Sequence, residues 1–325
     1  MNEGFYHSYV LKGLRKLYYY LFTKKKYTIP HLQREENINT ISEIISNYLS
    51  NDTPCMIARF GAFELGVAAN YLSVKQKHKS VIKYIKGDIE QWWWNSKLVH
   101  SLNQNAGFFP INNESLEKYS QLLIADSKYV DVLGSWQIQE IQILKNNNCI
   151  KVDRDGINPF FAKKPWTKSL EGKRILVIHP FYKSIRNQYL RKDLIFPNGL
   201  LPTFELTIIP AIQSIGGHAE GYNSWFDALE YMKSEMDKVE YDICLIGCGA
   251  YGFHLAAHAK RMGKKAIHLG GSLQLLFGIK GKRWESNGYQ KANNNYSTFF
   301  NEYWIRPSDD EKPQISNKIE NNCYW

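Results

Sequence analysis

Residues 241–284, YDICLIGCGAYGFHLAAHAKRMGKKAIHLGGSLQLLFGIKGKRW, restrict the possible folds of this chain more than any other stretch. An apolar run, Ile243 to Ile246, enters Gly247-Cys248-Gly249-Ala250-Tyr251-Gly252, and a helical pattern follows through Leu255, Ala256 and Ala259. Glycine lets a backbone turn tightly and approach a ligand closely, and a helix start presents unpaired N–H groups to an anion. The spacing is that of dinucleotide-binding turns, in the required strand-to-helix setting. The turn therefore reads as a diphosphate cradle that offers Gly247, Gly249, Ala250, Tyr251 and Gly252 to its ligand; the other reading is a glycine turn that only packs a helix on a strand. The next strand, Lys265 to Leu269, runs into a second small-residue turn, Gly270-Gly271-Ser272, and ends without a carboxylate. Dinucleotide sites use an acid there to hold the ribose, so NAD fits poorly and another phosphate-bearing ligand is expected.

Apolar strand patterns recur at 55–60, 129–133, 149–152, 174–179 and 204–209, with helical patterns at 36–50, 62–71, 88–124, 136–144 and 222–237. Strands alternating with helices predict an α/β, Rossmann-like, mostly parallel and doubly wound sheet with helices on both faces. Three segments are expected: a basic amphipathic helix (1–30), the Rossmann-like body (31–304) and a C-terminal extension (305–325). In such sheets ligands lie beyond the carboxyl ends of the strands. That rule selects Arg59-Phe60-Gly61, Gly134-Ser135-Trp136, His179-Pro180-Phe181 and the two glycine turns.

The chain has 325 residues and a formal net charge of +10, of which residues 1–30 carry six Lys or Arg against one Glu. There Val10, Leu14, Leu17 and Leu21 fall on one helical face, while Lys12, Arg15 and Lys16 fall largely elsewhere. Residues 5–26 are too often interrupted by charge to span a bilayer, yet suit an anionic membrane surface. The other reading is a helix packed on the body. No signal-peptide pattern and no nucleic-acid-binding signature stands out, so nucleic acid is not expected as a partner. Five scattered cysteines suggest neither a zinc site nor a disulfide framework and fit a reducing cytoplasm.

Arg59 offers a planar donor fork for phosphate, and Glu64 falls in the first turn of the following helix. Glu64 is a candidate metal ligand or base on an acceptor hydroxyl, or simply a helix-start charge. His179 is presented at a strand end, and Lys183, Ser184, Arg186 and Gln188 form a polar, cationic helix start suited to phosphate or sugar hydroxyls. Asp153 and Asp155 have spacing that suits Mg²⁺ or Mn²⁺ beside a diphosphate. Lys280, Lys282 and Arg283 are placed either to neutralise a diphosphate leaving group or simply to form a solvated basic loop. His254 and His258 share a helix face, but the third ligand of a metal site is missing. Neither a nucleophile elbow nor a Walker A lysine is present.

The segments RFGAFELG (59–66), VIHPFYKSIRNQY (177–189), 245–284 and NEYWIRPSDDEKP…CYW (301–325) resemble a bacterial polysaccharide-biosynthesis family related to the GT-D type of glycosyltransferase. The resemblance implies a nucleotide-sugar donor, a glycan or lipid-linked acceptor, and work at the cytoplasmic face of the membrane. It also implies that Trp304, Arg306, Cys323, Tyr324 and Trp325 belong to the body, although composition alone reads them as a tail. The better-known GT-D enzymes look like R-F-G-D-G-E at the first turn, where this chain has Ala62, Phe63 and Glu64. Either Glu64 acts without a metal partner, or Asp153 or Asp155 supplies one. The rivals are an NAD(P)-binding oxidoreductase and a non-catalytic protein of the assembly machinery.

Overall fold

A computed structural model describes residues 3–22, 32–145, 147–217, 219, 221–285, 295–313 and 324–325, with backbone alone for 3–8. The strands are β1 (Met56–Ala58), β2 (Val132–Ser135), β3 (Ile150–Asp153), β4 (Arg174–His179), β5 (Glu205–Pro210), β6 (Ile243–Ile246) and β7 (Lys265–His268). They form one sheet in the order β3-β2-β1-β7-β6-β4-β5, and every pairing is parallel. This is the expected Rossmann-like α/β class. The helices are α1 (Glu3–Phe22), α2 (Ile38–Ser50), α3 (Ala62–Val74), α4 (Val81–Lys86), α5 (Ser96–Ala106) and α6 (Asn113–Asp126). They continue with α7 (Glu140–Ile143), α8 (Tyr182–Tyr189), α9 (Lys192–Ile195), α10 (Trp225–Asp237), α11 (Gly252–Arg261) and α12 (Lys282–Glu285).

The central strands are apolar on both faces because helices cover both. Met56, Ala58, Leu176, Ile178, Cys244 and Ile246 pack under α3, α5, α6, α10 and α11. Ile57, Val132, Val177, Leu245 and Ile267 face the other way, toward Ile41 and Ile45 of α2 and Ile185 of α8. The chain builds β1, β2 and β3 outward in one direction and crosses to β4 and β5 on the far side. It then returns through β6 and β7 to the flank of β1. Connections thus diverge at β1 and β7, and a crevice opens above their carboxyl ends.

Some local expectations need correction. The second strand begins at Val132 rather than at residue 129, because Ser127–Tyr129 form a 3-10 turn that prolongs α6. The 88–124 stretch is not one helical run: Trp92-Trp93-Trp94 lie outside helices, and Gly107 caps α5 in the left-handed region at φ 81°. The helix expected over 136–144 shrinks to α7, and the second glycine turn opens a 3-10 segment, Gly270–Phe277.

α1 packs on α4, and the manner of packing was not legible from its amphipathicity. The Arg15 guanidinium sits 4.8 Å above the Tyr84 ring, and Tyr19 lies against Gly87. Leu11 is buried, while Val10, Leu14, Leu17 and Leu21 are turned outward. No helix among the described residues is long and apolar enough to cross a membrane.

Candidate functional site

A cavity of 420 Å³ lies at the carboxyl ends of β1, β4, β6 and β7, lined by Arg59, Glu64, His179, Gly247, Gly270 and Arg283 among others. That volume is within the range of small-molecule and cofactor sites.

β1 delivers Arg59, whose guanidinium rests against the second glycine turn. A methyl group on Gly270 would sit 2.7 Å from Arg59 Nη2, and Gly270 holds a positive φ of 57°. Glycine is therefore required twice over, for the turn and for the arginine. His268 Nδ1–H donates to the Arg59 carbonyl at 3.1 Å and fixes the backbone of the same residue. Gly270→Ala should push the guanidinium aside and weaken nucleoside-diphosphate binding by about 10- to 100-fold, the worth of one charge-assisted hydrogen bond. Calorimetric titration of the variant checks this; unchanged affinity would take Arg59 out of the binding site.

Glu64 occupies the first turn of α3 and folds back over its N-cap. A methyl on Gly61 would sit 2.1 Å from Glu64 Oε2, so the glycine leaves the carboxylate its place at the cavity wall. His179 ends β4 with 2% of its surface exposed. The Phe181 amide donates to its Nδ1 at 3.0 Å, which leaves Nε2 as the protonated nitrogen. Burial pushes its pKa down to about 3. His179 is therefore a neutral hydrogen-bond donor. Its Nε2–H donates to none of the described residues, and the side chain lines the cavity.

The first glycine turn departs from the open cradle expected of it. A methyl on Gly247 would meet the Gly270 carbonyl at 2.6 Å and the His179 ring at 2.8 Å. Gly249, at φ 56°, is approached by the Ala106 carbonyl at the end of α5, 3.2 Å from where a Cβ would lie. Gly252 makes room for the His268 ring at 2.5 Å. These glycines answer the close packing of the chain on itself. Gly247, Cys248, Gly249 and Tyr251 still reach the cavity wall, whereas Ala250 and Gly252 do not. In the second turn, Gly271 lies under the Tyr324 ring and Ser272 donates to Asn158 at 2.7 Å.

The polar start of α8 is also filled from within. The Lys183 and Ser184 amides and the Ser184 and Ser308 hydroxyls all donate to the Glu311 carboxylate, which occupies the anion position at that helix start. Arg186 is exposed away from the cavity. Gln188 is spent on the Gly278 and Tyr303 carbonyls. Ser135 donates to Glu140 at 2.5 Å behind the wall, and Lys282 is exposed outside it. Arg283 does line the cavity and donates to the Tyr324 hydroxyl at 3.0 Å.

The acid pair does not assemble into a metal site. Asp153 pairs with Arg34 at 2.8 Å and accepts from the Asp155 and Gly156 amides. Asp155 reaches the cavity wall but is held by both arms of Arg154 at 2.9 Å. No group of three His, Cys, Asp or Glu side chains among the described residues could hold a metal ion. His254 and His258 are structural: the first binds Asp126 at 2.8 Å and the second Asp237 at 2.7 Å. Cys248 meets the cavity, but burial raises its thiol pKa and disfavours the thiolate a nucleophile needs.

Several lining residues had no role assigned from sequence. Trp136 donates to the Phe60 carbonyl at 3.1 Å and stacks under Arg154 at 4.5 Å. Gln274 Oε1 and Trp325 Nε1 are buried polar atoms without a hydrogen-bond partner, and both residues line the cavity. Trp136 follows a strand-end serine and was selected by the strand-end rule. Gln274 carries no local signal. Trp304 and Trp325 are buried, and Arg306 donates to the Trp325 carbonyl at 2.9 Å. Cys323 lies outside the described residues.

No family model and no curated protein matches this chain. A solved structure titled as the selenomethionine form of domain of unknown function 1792 is similar at 12% identity. It covers 92% of this chain and 98% of its own, with a TM-score of 0.34. A superposition that loose carries no argument about the fold or the site.

Proposed function

We propose that this chain is a glycosyltransferase that moves a sugar from a nucleotide-diphosphate donor to a hydroxyl of a glycan or lipid-linked acceptor, in surface-polysaccharide assembly. The observation that carries the reading is the cavity at the switch point of a parallel sheet, where an arginine, a carboxylate and an unpartnered imidazole N–H converge. The acceptor oxygen attacks the anomeric carbon as the bond from that carbon to the diphosphate oxygen breaks. The leaving diphosphate keeps the electron pair. Arg59, Arg283 and the His179 Nε2–H stabilise the charge that develops on it, and Glu64 takes the proton of the acceptor hydroxyl. Preorganised donors in a site shielded from water are worth more than the same groups in solution.

The oxidoreductase alternative is disfavoured twice over. β7 ends in His268-Leu269-Gly270, without a ribose-binding acid, and the Ala106 carbonyl crowds the second glycine of the motif. Thermal-shift measurements with UDP, GDP, CMP and NAD, each with and without Mn²⁺, test the reading. One nucleoside diphosphate is expected to raise the melting temperature by several degrees, since ligand at about 100 times its Kd adds about 2.7 kcal/mol. A shift with NAD alone would overturn it. Binding without turnover on any sugar donor would leave the non-catalytic reading instead.

A further inference from the structure

The positive charge of this protein is concentrated in two stretches of the sequence, each of which contributes a described helix to one packed pair. Residues 1–30 carry six Lys or Arg against one acid, and residues 71–100 carry six Lys against two acids, so nine of the ten net positive charges lie there. The helices α1 and α4 from these stretches pack together. Lys97 at the start of α5 is close enough to Lys12 to help burial lower its pKa, so the cations crowd one region.

On α1, the residues turned away from α4 are apolar. Val10 is 61% exposed, Leu14 42%, Leu17 53% and Leu21 59%, and they fall within one stripe at helical spacing. Tyr9 and Tyr20 flank that stripe, both exposed, with Lys16 on the same side. On α4, Val81 and Ile82 are exposed as well. A soluble surface rarely leaves so many large apolar side chains contiguous. An exposed apolar stripe bordered by aromatic rings, in a strongly basic part of the chain, is complementary to one kind of partner: a bilayer with an apolar interior and anionic headgroups.

We infer that the outward face of α1, with the basic residues of α4 and its flanks, is a docking surface for an anionic phospholipid membrane. Val10, Leu14, Leu17 and Leu21 enter the headgroup–acyl boundary, while the lysines meet lipid phosphates. The inference rests on the surface alone and stands whatever the cavity binds.

Co-sedimentation of the full chain with vesicles tests this. Vesicles of phosphatidylcholine alone are compared with vesicles mixing phosphatidylcholine and phosphatidylglycerol. Each basic side chain near an anionic surface strengthens binding about five-fold, so three engaged residues give about 100-fold preference, eroded by salt. The double substitution Leu14→Glu with Leu17→Glu should weaken binding to the anionic vesicles about 100-fold or more. Both sites are exposed, so circular dichroism and nucleotide-induced thermal shift should stay as in the parent. Equal binding to the two vesicle types, or undiminished binding by the double variant, would overturn the inference. So would a stable dimer in light scattering that the same substitutions disperse while vesicles go unbound, since the face would then belong to a second copy.

Discussion

Glu64→Gln is expected to lower turnover by about 10²- to 10⁴-fold, the usual worth of a positioned general base, while nucleoside-diphosphate affinity stays within a few-fold of the parent. The amide has the shape of the carboxylate, so the contact with Gly61 and the first turn of α3 are preserved. What is lost is the capacity to accept the acceptor's proton. A purely structural Glu64 predicts a different result: a lower melting temperature with turnover nearly intact. Steady-state kinetics with a nucleotide-sugar donor, set beside a calorimetric titration of the nucleotide product, separates the two. Turnover within a few-fold of the parent would remove Glu64 from the mechanism and leave the cavity as a binding site.

Acid lability is the second large effect. His179 and His268 are both buried neutral, each with its pKa pushed down to about 3, chiefly by burial and, for His268, by the neighbouring Arg59. In the unfolded chain both would titrate at about 6.5. Between those values the unfolded state binds more protons than the folded one, so stability rises with pH and is lost as pH falls from about 6.5 toward 3. From pH 7 to pH 5 each ring costs about 2 kcal/mol, and the pair about 4 kcal/mol. That is a large share of the 5–15 kcal/mol typical of a domain.

Carboxylates act lower on the scale. Asp126 is raised by burial but held below its usual range overall by His254 and Arg261, and Asp242 is lowered by its hydrogen bond to Arg174. Their contribution is present above the ordinary carboxylate range and fades only as pH falls through it. Urea denaturation at stepped pH therefore isolates the histidines between pH 7 and 5. A midpoint that stays level across that interval would mean the two rings are not kept neutral. The same burial predicts that no inflection in the pH–rate profile above about pH 4 belongs to His179.

The sheet was legible because each strand is a short apolar run bounded by turn residues, and because such runs alternate with helical periods. Ile243–Ile246 and Arg174–His179 are bounded in the fold where their patterns end. Strand ends were equally legible, and in a parallel sheet these set the location of a site before any side chain is placed. Arg59, Glu64, Gly61 and His179 do come together at one cavity. Where the reading departed from the structure, a distant segment had taken the place intended for a ligand. Glu311, far along the chain, sits at the start of α8; the Ala106 carbonyl covers Gly249; Arg34 claims Asp153. Local pattern reports that a turn is tight or a helix start is polar, and says nothing about what fills it.

The sequence alone therefore settled the class of fold, the parallel strands and the small set of strand ends at which chemistry is possible, since these follow from periodicity and backbone sterics within a few residues. Only the tertiary structure decided that His179 is a neutral donor, that the acid pair is consumed by arginines, and that α1 turns its apolar stripe outward. Charge state, partner and exposure depend on which remote side chains share a volume, and that is a property of the packed whole.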